Sequence, residues 1–262
     1  MKKTLSVLLA FTLVLALHTS ALAVLDADAL FQTIVDSMEG LESFSFTLTD
    51  RKNIRGESSS AVMTGIKWTD PVRTTGILIF SDPEYWNLAY YAEVIDRQMV
   101  YYLDMYGVWI KTSEELTDFM MLNDYDQTLA IGDSTLEKKA EPWAEPIQGR
   151  EVNKLTLAID FLSLADAHGV YPWLQEFIPS LAAVQQHQDL PPMLFYYYLD
   201  VETGEILRIE RDLSALVTEL ISIFEPTSGG SPAEHVSVMN IWDINAIEEF
   251  EIPDEVRAAT PI

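Results

Sequence analysis

The chain of 262 residues contains no cysteine. This absence excludes disulfide bonds, thiol catalysis, zinc sites built on cysteine and lipid anchors attached through cysteine. A protein that folds without such links depends on its hydrophobic core. At this length a single domain can bury roughly 70% of the surface of its unfolded chain, so the sequence predicts a fold stabilised by packing.

Positive charge is scarce. The chain has 16 Lys and Arg residues against 41 Asp and Glu residues, and its formal net charge is −25. Such a surface repels nucleic acid and anionic membranes, and we predict no nucleic-acid partner. Solubility outside the cell is the simplest interpretation of this charge. A surface for cations or for a cationic partner is the alternative.

Long apolar runs are confined to the N-terminus. A largely apolar stretch over residues 5–17 follows Lys2 and Lys3 and precedes the small-residue sequence "ALA" at positions 21–23. This order is typical of a secretory signal peptide that is cut before Val24. The apolar run is short for a membrane-spanning helix, which is the alternative interpretation.

We therefore predict a signal peptide over residues 1–23 and one exported domain over residues 24–262. No later stretch reaches the ~20 apolar residues that a spanning helix needs, so the mature chain is not expected to span a membrane. Its expected location is secreted or extracytoplasmic, in the periplasm or at the cell exterior.

Motifs of the common enzyme classes are missing from the sequence. There is no G-x-S-x-G elbow, phosphate-binding loop, G-x-G-x-x-G or H-E-x-x-H. The histidines after the signal, His168, His187 and His235, do not have the spacing of metal ligands. The sequence predicts a protein that is not an enzyme, with no cofactor and no metal site.

Alternating apolar and polar residues predict about nine strands in local antiparallel order. These strands cover residues 44–49, 61–69, 76–80, 86–95, 98–105 with its continuation 108–111, 151–159, 194–199, 206–213 and 235–244. Short turns between successive strands favour hairpins over parallel crossovers.

Helical periodicity predicts a first helix over residues 26–39, capped by Asp26 and ended by Gly40. A second is expected to begin at Ser113, with Glu114 and Glu115 in its first turn, and to run to about position 122. The acidic stretch 123–145 is predicted to be irregular. Broken helical pieces are expected over residues 160–188, and a closing turn of helix over 254–259. For residues 214–224 the pattern leaves helix and strand open.

The stretch "FYYYLDVETGEILRIERDL" at positions 195–213 predicts a hairpin with aromatic side chains on both faces of its first strand. Phe195, Tyr197 and Leu199 share one face. In the second strand Leu207 and Ile209 are expected on a dry face. Ordinary core filling explains such doubling through β propensity. A sheet whose outer face is partly covered, or one that lines an apolar cavity, would explain it as well.

The broken helical segment is apolar around much of its circumference. A helix of this kind is buried, or it covers a cavity. Pro172 and Pro179 divide the segment into short rods that can lie across a sheet. Plain core packing and a movable lid are both consistent with the pattern.

Several stretches together resemble a known superfamily. They are "MEGLESFSFTLT", "YYLDMYGVWIKTSEE", "YYYLDVETGEILRIERDL" and "IWDINAIEEFEIPDEVRAA". With the broken central helix, they are similar to the outer-membrane lipoprotein carrier proteins (the lipoprotein localisation factor fold), and among these to an uncharacterised exported bacterial branch. The chain lacks the lipobox cysteine that relatives of this branch often carry, so it is not expected to be tethered in that way.

The resemblance implies an α+β fold of one domain. It would have a strongly curved antiparallel sheet, an incomplete barrel, with helices covering the concave side and a space for acyl chains between sheet and helices. We accordingly predict a binding protein for an apolar ligand, such as a lipid or lipoprotein acyl chains. The alternative is a cell-envelope module that binds a protein and has a filled cavity. The residues predicted to line the ligand site are Trp86, Trp173, Phe177, Leu181, Phe195 and Tyr197.

Overall fold

The computed structural model describes residues 25–80, 87–116, 124–168, 180–187, 189–225 and 232–261. These residues form twelve strands and six helices. The strands are β1 (Ser43–Ile54), β2 (Glu57–Thr69), β3 (Val72–Phe80), β4 (Leu88–Ile95), β5 (Gln98–Met105), β6 (Val108–Glu115), β7 (Thr135–Pro142), β8 (Val152–Ile159), β9 (Met193–Asp200), β10 (Ile206–Asp212), β11 (Glu234–Trp242) and β12 (Thr260–Pro261). The helices are α1 (Ala27–Glu39), α2 (Asp124–Asp133), α3 (Phe161–His168), α4 (Leu181–Val184), α5 (Ser214–Phe224) and α6 (Asp254–Arg257).

All twelve strands belong to one sheet, in the order β12-β6-β5-β4-β3-β2-β1-β11-β10-β9-β8-β7. Neighbours pair antiparallel except β12, which runs parallel to β6. Among the strands that the structure describes, β12 and β7 are the two edges, so the sheet stays open. The predicted fold class, one α+β domain with an antiparallel sheet that does not close into a barrel, is confirmed. The number of strands, predicted as about nine, is wrong.

Helix α1 forms where its sequence predicts it. The Asp26 carboxylate accepts hydrogen bonds from the backbone N–H groups of Asp28 and Ala29 at 3.0 and 3.2 Å, which satisfies donors that the first helical turn cannot pair. Ile34 and Met38 lie on one side of the helix and are buried. That side anchors α1 on the sheet.

The sheet has two faces with different coverings. We call the face that bears Phe44, Phe46 and Leu48 the inner face, and the opposite one the outer face. Buried residues of α1 to α5 pack on the inner face over β1 and β8 to β11. The central members of this core are Ile34, Leu155, Leu157, Phe195, Leu216 and Leu220. The apolar alternation of the strands therefore decides where the helices lie.

Two glycines bring β2 and β3 unusually close. Gly65 and Gly76 lie directly opposite each other in the register. A Cβ atom on Gly65 would lie 2.2 Å from the Thr75 carbonyl oxygen, and one on Gly76 would lie 2.0 Å from the Thr64 carbonyl oxygen. Only residues without a side chain allow this approach of the two backbones.

The predicted helix from Ser113 is wrong where the structure describes it. Ser113, Glu114 and Glu115 extend β6 and pair with Val100, Met99 and Gln98 of β5. These three residues favour the start of a helix locally. Their hydrogen bonds to β5 are tertiary contacts, and such contacts override local propensity. Residues 117–123 lie outside the described part.

The stretch 123–145, predicted to be irregular, contains α2 and β7. Gly132 lies inside α2, where a Cβ atom would come within 2.5 Å of the Phe31 ring. The glycine therefore makes room for α1 to pack. Pro142 ends β7, an edge strand, where proline is tolerated. Residues 214–224, left open between helix and strand, form α5.

A bulge in β10 corrects the predicted face of Leu207. Ile206 pairs with Leu199 but Arg208 pairs with Tyr198, so Leu207 is an extra residue. The shift turns Ile206 to the inner core, and Leu207 to a small cluster on the outer face. One inserted residue exchanges the faces because strand side chains alternate with period two.

The C-terminal segment, residues 243–261, covers part of the outer face of β3 to β6. Ile252 and Val256 are buried against Tyr102 there. Glu93 joins the two layers. It accepts hydrogen bonds from the Tyr102 hydroxyl at 2.9 Å and from Arg257 Nε and Nη2 at 3.2 and 3.1 Å. The end of the chain is thus fixed on the sheet by a buried, charge-assisted contact.

Candidate functional site

A cavity of about 400 Å³ lies on the inner face, between β1 and β9 to β11 on the sheet side and α2 on the other. Its apolar lining consists of Phe44, Phe46, Leu48, Phe195, Ile209, Leu213 and Met239. Its polar lining consists of Asp50, Lys52, Lys67, Gln127, Arg211, His235 and Ser237.

The cavity is built by alternation along β1. Every second residue from Phe44 to Lys52 contributes a side chain to it, because alternate positions of a strand share a face. Lys52 lies eight positions after Phe44, which corresponds to about 26 Å at ~3.3 Å per residue. The lining is therefore elongated, with aromatic and aliphatic side chains over its first half.

The far half of the cavity contains an ionic cluster. His235 Nε2 lies 3.3 Å from Asp50 Oδ1, and Lys52 Nζ lies 3.2 Å from Asp50 Oδ2. Burial alone would raise the pKa of Asp50, but the hydrogen bond with His235 and the charge of Lys52 outweigh it and lower the pKa overall. Asp50 is therefore a stable carboxylate inside a largely apolar space.

Two cations of the lining lie over its phenylalanine rings. Arg211 Cζ is 5.5 Å from the centroid of Phe195, and Lys67 Nζ is 5.6 Å from that of Phe44. Each cation is the register partner of the ring it covers. Such cation–π contacts stabilise a charge next to apolar surface.

The structure locates three of the six predicted lining residues. Phe195 is buried and lines the cavity. Tyr197 is buried on the same face in the adjoining core, and Leu181, at the start of α4, packs against that core. Trp86, Trp173 and Phe177 lie outside the described residues.

Most lining residues were not identified from the sequence. Phe44, Phe46 and Leu48 lie in the strand predicted over residues 44–49, but the alternation does not say which strands meet across a cavity. Met239 and Arg211 come from strands about 190 and 165 positions later in the chain. The β1–β11 pairing that brings them together is a long-range contact, with no local signal.

The aromatic doubling of β9 has a separate explanation. Tyr198 points to the outer face, where it is buried with Val152 and Leu207. The Trp143 ring meets it edge-on at 5.3 Å between centroids. Burial raises the pKa of Tyr198, and its hydroxyl donates to Glu210 at 3.3 Å. The outer face of this strand is thus covered by the connection between β7 and β8.

Within the described ranges, no group of three or more His, Asp or Glu side chains is placed to hold a metal ion. None of the helices in this part of the chain combines the length and the apolar character that crossing a membrane would require.

No protein-family model and no curated protein matches the chain. Among solved structures, it is similar to lipoprotein LppX of Mycobacterium tuberculosis, with 10% identity and a TM-score of 0.49 over 86% of this chain and 100% of that one. It is similar to LprF of Mycobacterium bovis, with 14% identity and a TM-score of 0.48 over 87% and 96%. A LolA superfamily protein of Nitrosomonas europaea matches with 13% identity and a TM-score of 0.27 over 88% and 97%.

These matches all have TM-scores below 0.5 and identities below 15%. They concern the overall fold, and they carry no ligand, partner or residue role over to this chain.

Proposed function

We propose that the protein is an exported, non-enzymatic carrier or sensor of an apolar ligand, which it holds in the inner-face cavity. The observation that carries this proposal is the cavity itself, because a partly open, mostly apolar space of about 400 Å³ falls within the usual range of ligand sites. A core built only for stability would fill such a space, since each void costs packing energy.

The six predicted lining residues enter the proposal as follows. Phe195 contributes directly to the wall of the cavity. Tyr197 and Leu181 support it from the adjoining core. For Trp86, Trp173 and Phe177 we keep the role predicted from the sequence, an apolar contact with the ligand. The same proposal includes export through the signal peptide predicted over residues 1–23, so that the protein acts outside the cytoplasm.

A direct test uses the mature chain, residues 24–262, and a neutral dye whose fluorescence rises in apolar surroundings. Native mass spectrometry of the purified protein would detect co-purified lipid in parallel. Met239→Trp fills the cavity, and we expect it to weaken dye binding at least tenfold. Val238→Trp is the matched control, because this neighbouring residue of β11 points to the outer face, and it should bind like the natural chain.

Failure would be clear. If the natural chain neither binds the dye nor carries lipid, while circular dichroism shows it folded, the carrier proposal is wrong. The alternative, an envelope protein-interaction module on the same fold, would then be favoured. If Val238→Trp weakens binding as much as Met239→Trp, the dye binds elsewhere and the cavity is not its site.

A further inference from the structure

The lining of the cavity changes from apolar to charged along the strands. Leu48, Met239 and Ile209 form one row across β1, β11 and β10 through their register pairs. Two residues further along, roughly 7 Å away, the corresponding row is Asp50, Ser237 and Arg211. Apart from Lys67 over the Phe44 ring, the cavity is therefore apolar toward Phe44 and charged toward Lys52, which is the polarity of an amphiphile.

The lining of the cavity is basic, in contrast to the whole chain. It contains three cations and one carboxylate: Lys52, Arg211 and Asp50 lie at the charged end, and Lys67 lies at the Phe44 end. The chain as a whole has 16 cations against 41 acidic residues. Cations are thus concentrated at this cavity, and they favour an anionic group inside it.

Arg211 is the cation best placed to take that anion. Lys52 lies within 3.2 Å of Asp50, so this lysine and this carboxylate offset each other. Arg211 Cζ lies 5.5 Å from the centroid of the Phe195 ring, and this cation–π contact stabilises its charge next to apolar surface. A guanidinium also presents its N–H donors in a planar fork that matches a carboxylate.

The dimensions favour one long chain. The lining extends about 26 Å along β1, yet the cavity volume of about 400 Å³ lies near the lower limit of ligand sites. A narrow, elongated space accommodates a single extended tail better than several tails or a compact ring system. The apolar row provides the contact area for that tail.

We propose that the ligand is a single-chain amphiphile with a carboxylate head group, a long-chain fatty acid, whose head binds Arg211 and whose tail runs along β1 toward Phe44. This inference rests on the proposed carrier function and specifies its ligand class. Lys67, at the Phe44 end, would then lie beside the tail, with its stem packed along the ring and its charge directed outward.

The experiment measures displacement of the neutral dye from the mature chain by palmitate and by hexadecanol, two ligands with the same tail. We expect palmitate to displace the dye at about tenfold lower concentration, the factor that one charge-assisted hydrogen bond provides. Arg211→Gln should abolish this preference while hexadecanol still displaces the dye. Arg208→Gln is the matched control, because this arginine of the same strand lies on the outer face beside Tyr198, and it should keep the preference. Lys67→Gln, which removes the other ring-covering cation of the lining, tests the orientation of the ligand.

Each of the other outcomes would reject one part of the proposal. Equal displacement by palmitate and hexadecanol would reject the anionic head group and leave the carrier function standing. Loss of the preference in Lys67→Gln but not in Arg211→Gln would reject the orientation. Stronger displacement by hexadecyl phosphate would reject the carboxylate in favour of a phosphate. Failure of dye and all competitors to bind would reject the carrier function itself.

Discussion

The two halves of the sheet are held by different forces. Over β7 to β11 and β1, five helices bury the inner face, and stability there comes from apolar volume. Over β3 to β6, the C-terminal segment covers the outer face, and a buried carboxylate, Glu93, makes directed contacts with it. Apolar packing tolerates small shifts in atomic position, whereas hydrogen bonds and ion pairs depend on distance and angle. The cavity is located in the helix-covered half, along β1, where that half adjoins β2.

The largest effect is expected from Leu216→Ala in α5. Leu216 is fully buried in the helix-covered half, and removal of its side chain loses transfer energy and leaves a cavity. We expect the free energy of unfolding to fall by about 3 kcal/mol. Chemical denaturation measures it. Leu136→Ala in the edge strand β7, where the side chain is 67% exposed, should change stability by less than about 0.5 kcal/mol. Equal effects would contradict the assignment of the core.

An intermediate effect is expected from Glu93→Gln, which keeps the size of the side chain and removes its charge. Arg257 and the Tyr102 hydroxyl then lose a charged acceptor, and we expect a loss of about 1–2 kcal/mol. Hydrogen exchange should show weaker protection in residues 252–261 and in β4 to β6, with β8 to β10 unchanged.

The control for this variant is Glu251→Gln in the same segment. Glu251 is 73% exposed and lies 3.9 Å from Arg257, and an exposed pair of this kind contributes little. If Glu93→Gln instead lowers protection equally in both halves of the sheet, the C-terminal segment does not act locally. That result would contradict the contrast between the two halves.

The smallest effect is expected in alkaline solution. Burial, and then the hydrogen bond to Glu93, raise the pKa of Tyr102 from 10.0 to about 12. Because the folded pKa lies above the unfolded one, the contribution of Tyr102 to stability is complete below pH 10 and is lost as the pH rises toward 12. The difference in stability between the natural chain and Tyr102→Phe should therefore be constant up to about pH 10 and shrink above it. Parallel pH profiles of the two proteins would refute this.

Local patterns predicted much of the fold. The Asp26 cap, the apolar side of α1 and the alternation in β1 each concern residues only a few positions apart, and the structure confirms them. The errors at Ser113 and over residues 123–145 share one cause. In both places a partner distant in sequence, β5 or Phe31, decided the local conformation.

The candidate site was predicted less completely, for the same reason. Phe195 could be chosen because it lies in an aromatic strand with a readable alternation. The bulge in β10 places Ile206 on the inner face and Leu207 on the outer face, the reverse of regular alternation. Nothing in the residue spacing of β10 reveals this bulge. Arg211 was not singled out from the sequence, and only its position beside Phe195 gives it a place in the cavity.

The sequence by itself determined strands in local antiparallel order and the first helix, because hydrophobic periodicity and turn chemistry act between near neighbours. It also determined the acidic charge and the absence of disulfides. The open sheet with helices on one side was implied by the resemblance to the lipoprotein carriers. The tertiary structure alone decided that β1 pairs with β11, which brings Arg211, His235 and Met239 around one elongated space. Contacts between residues nearly 200 positions apart depend on loop closure and on the packing of the whole chain, and no local pattern records them.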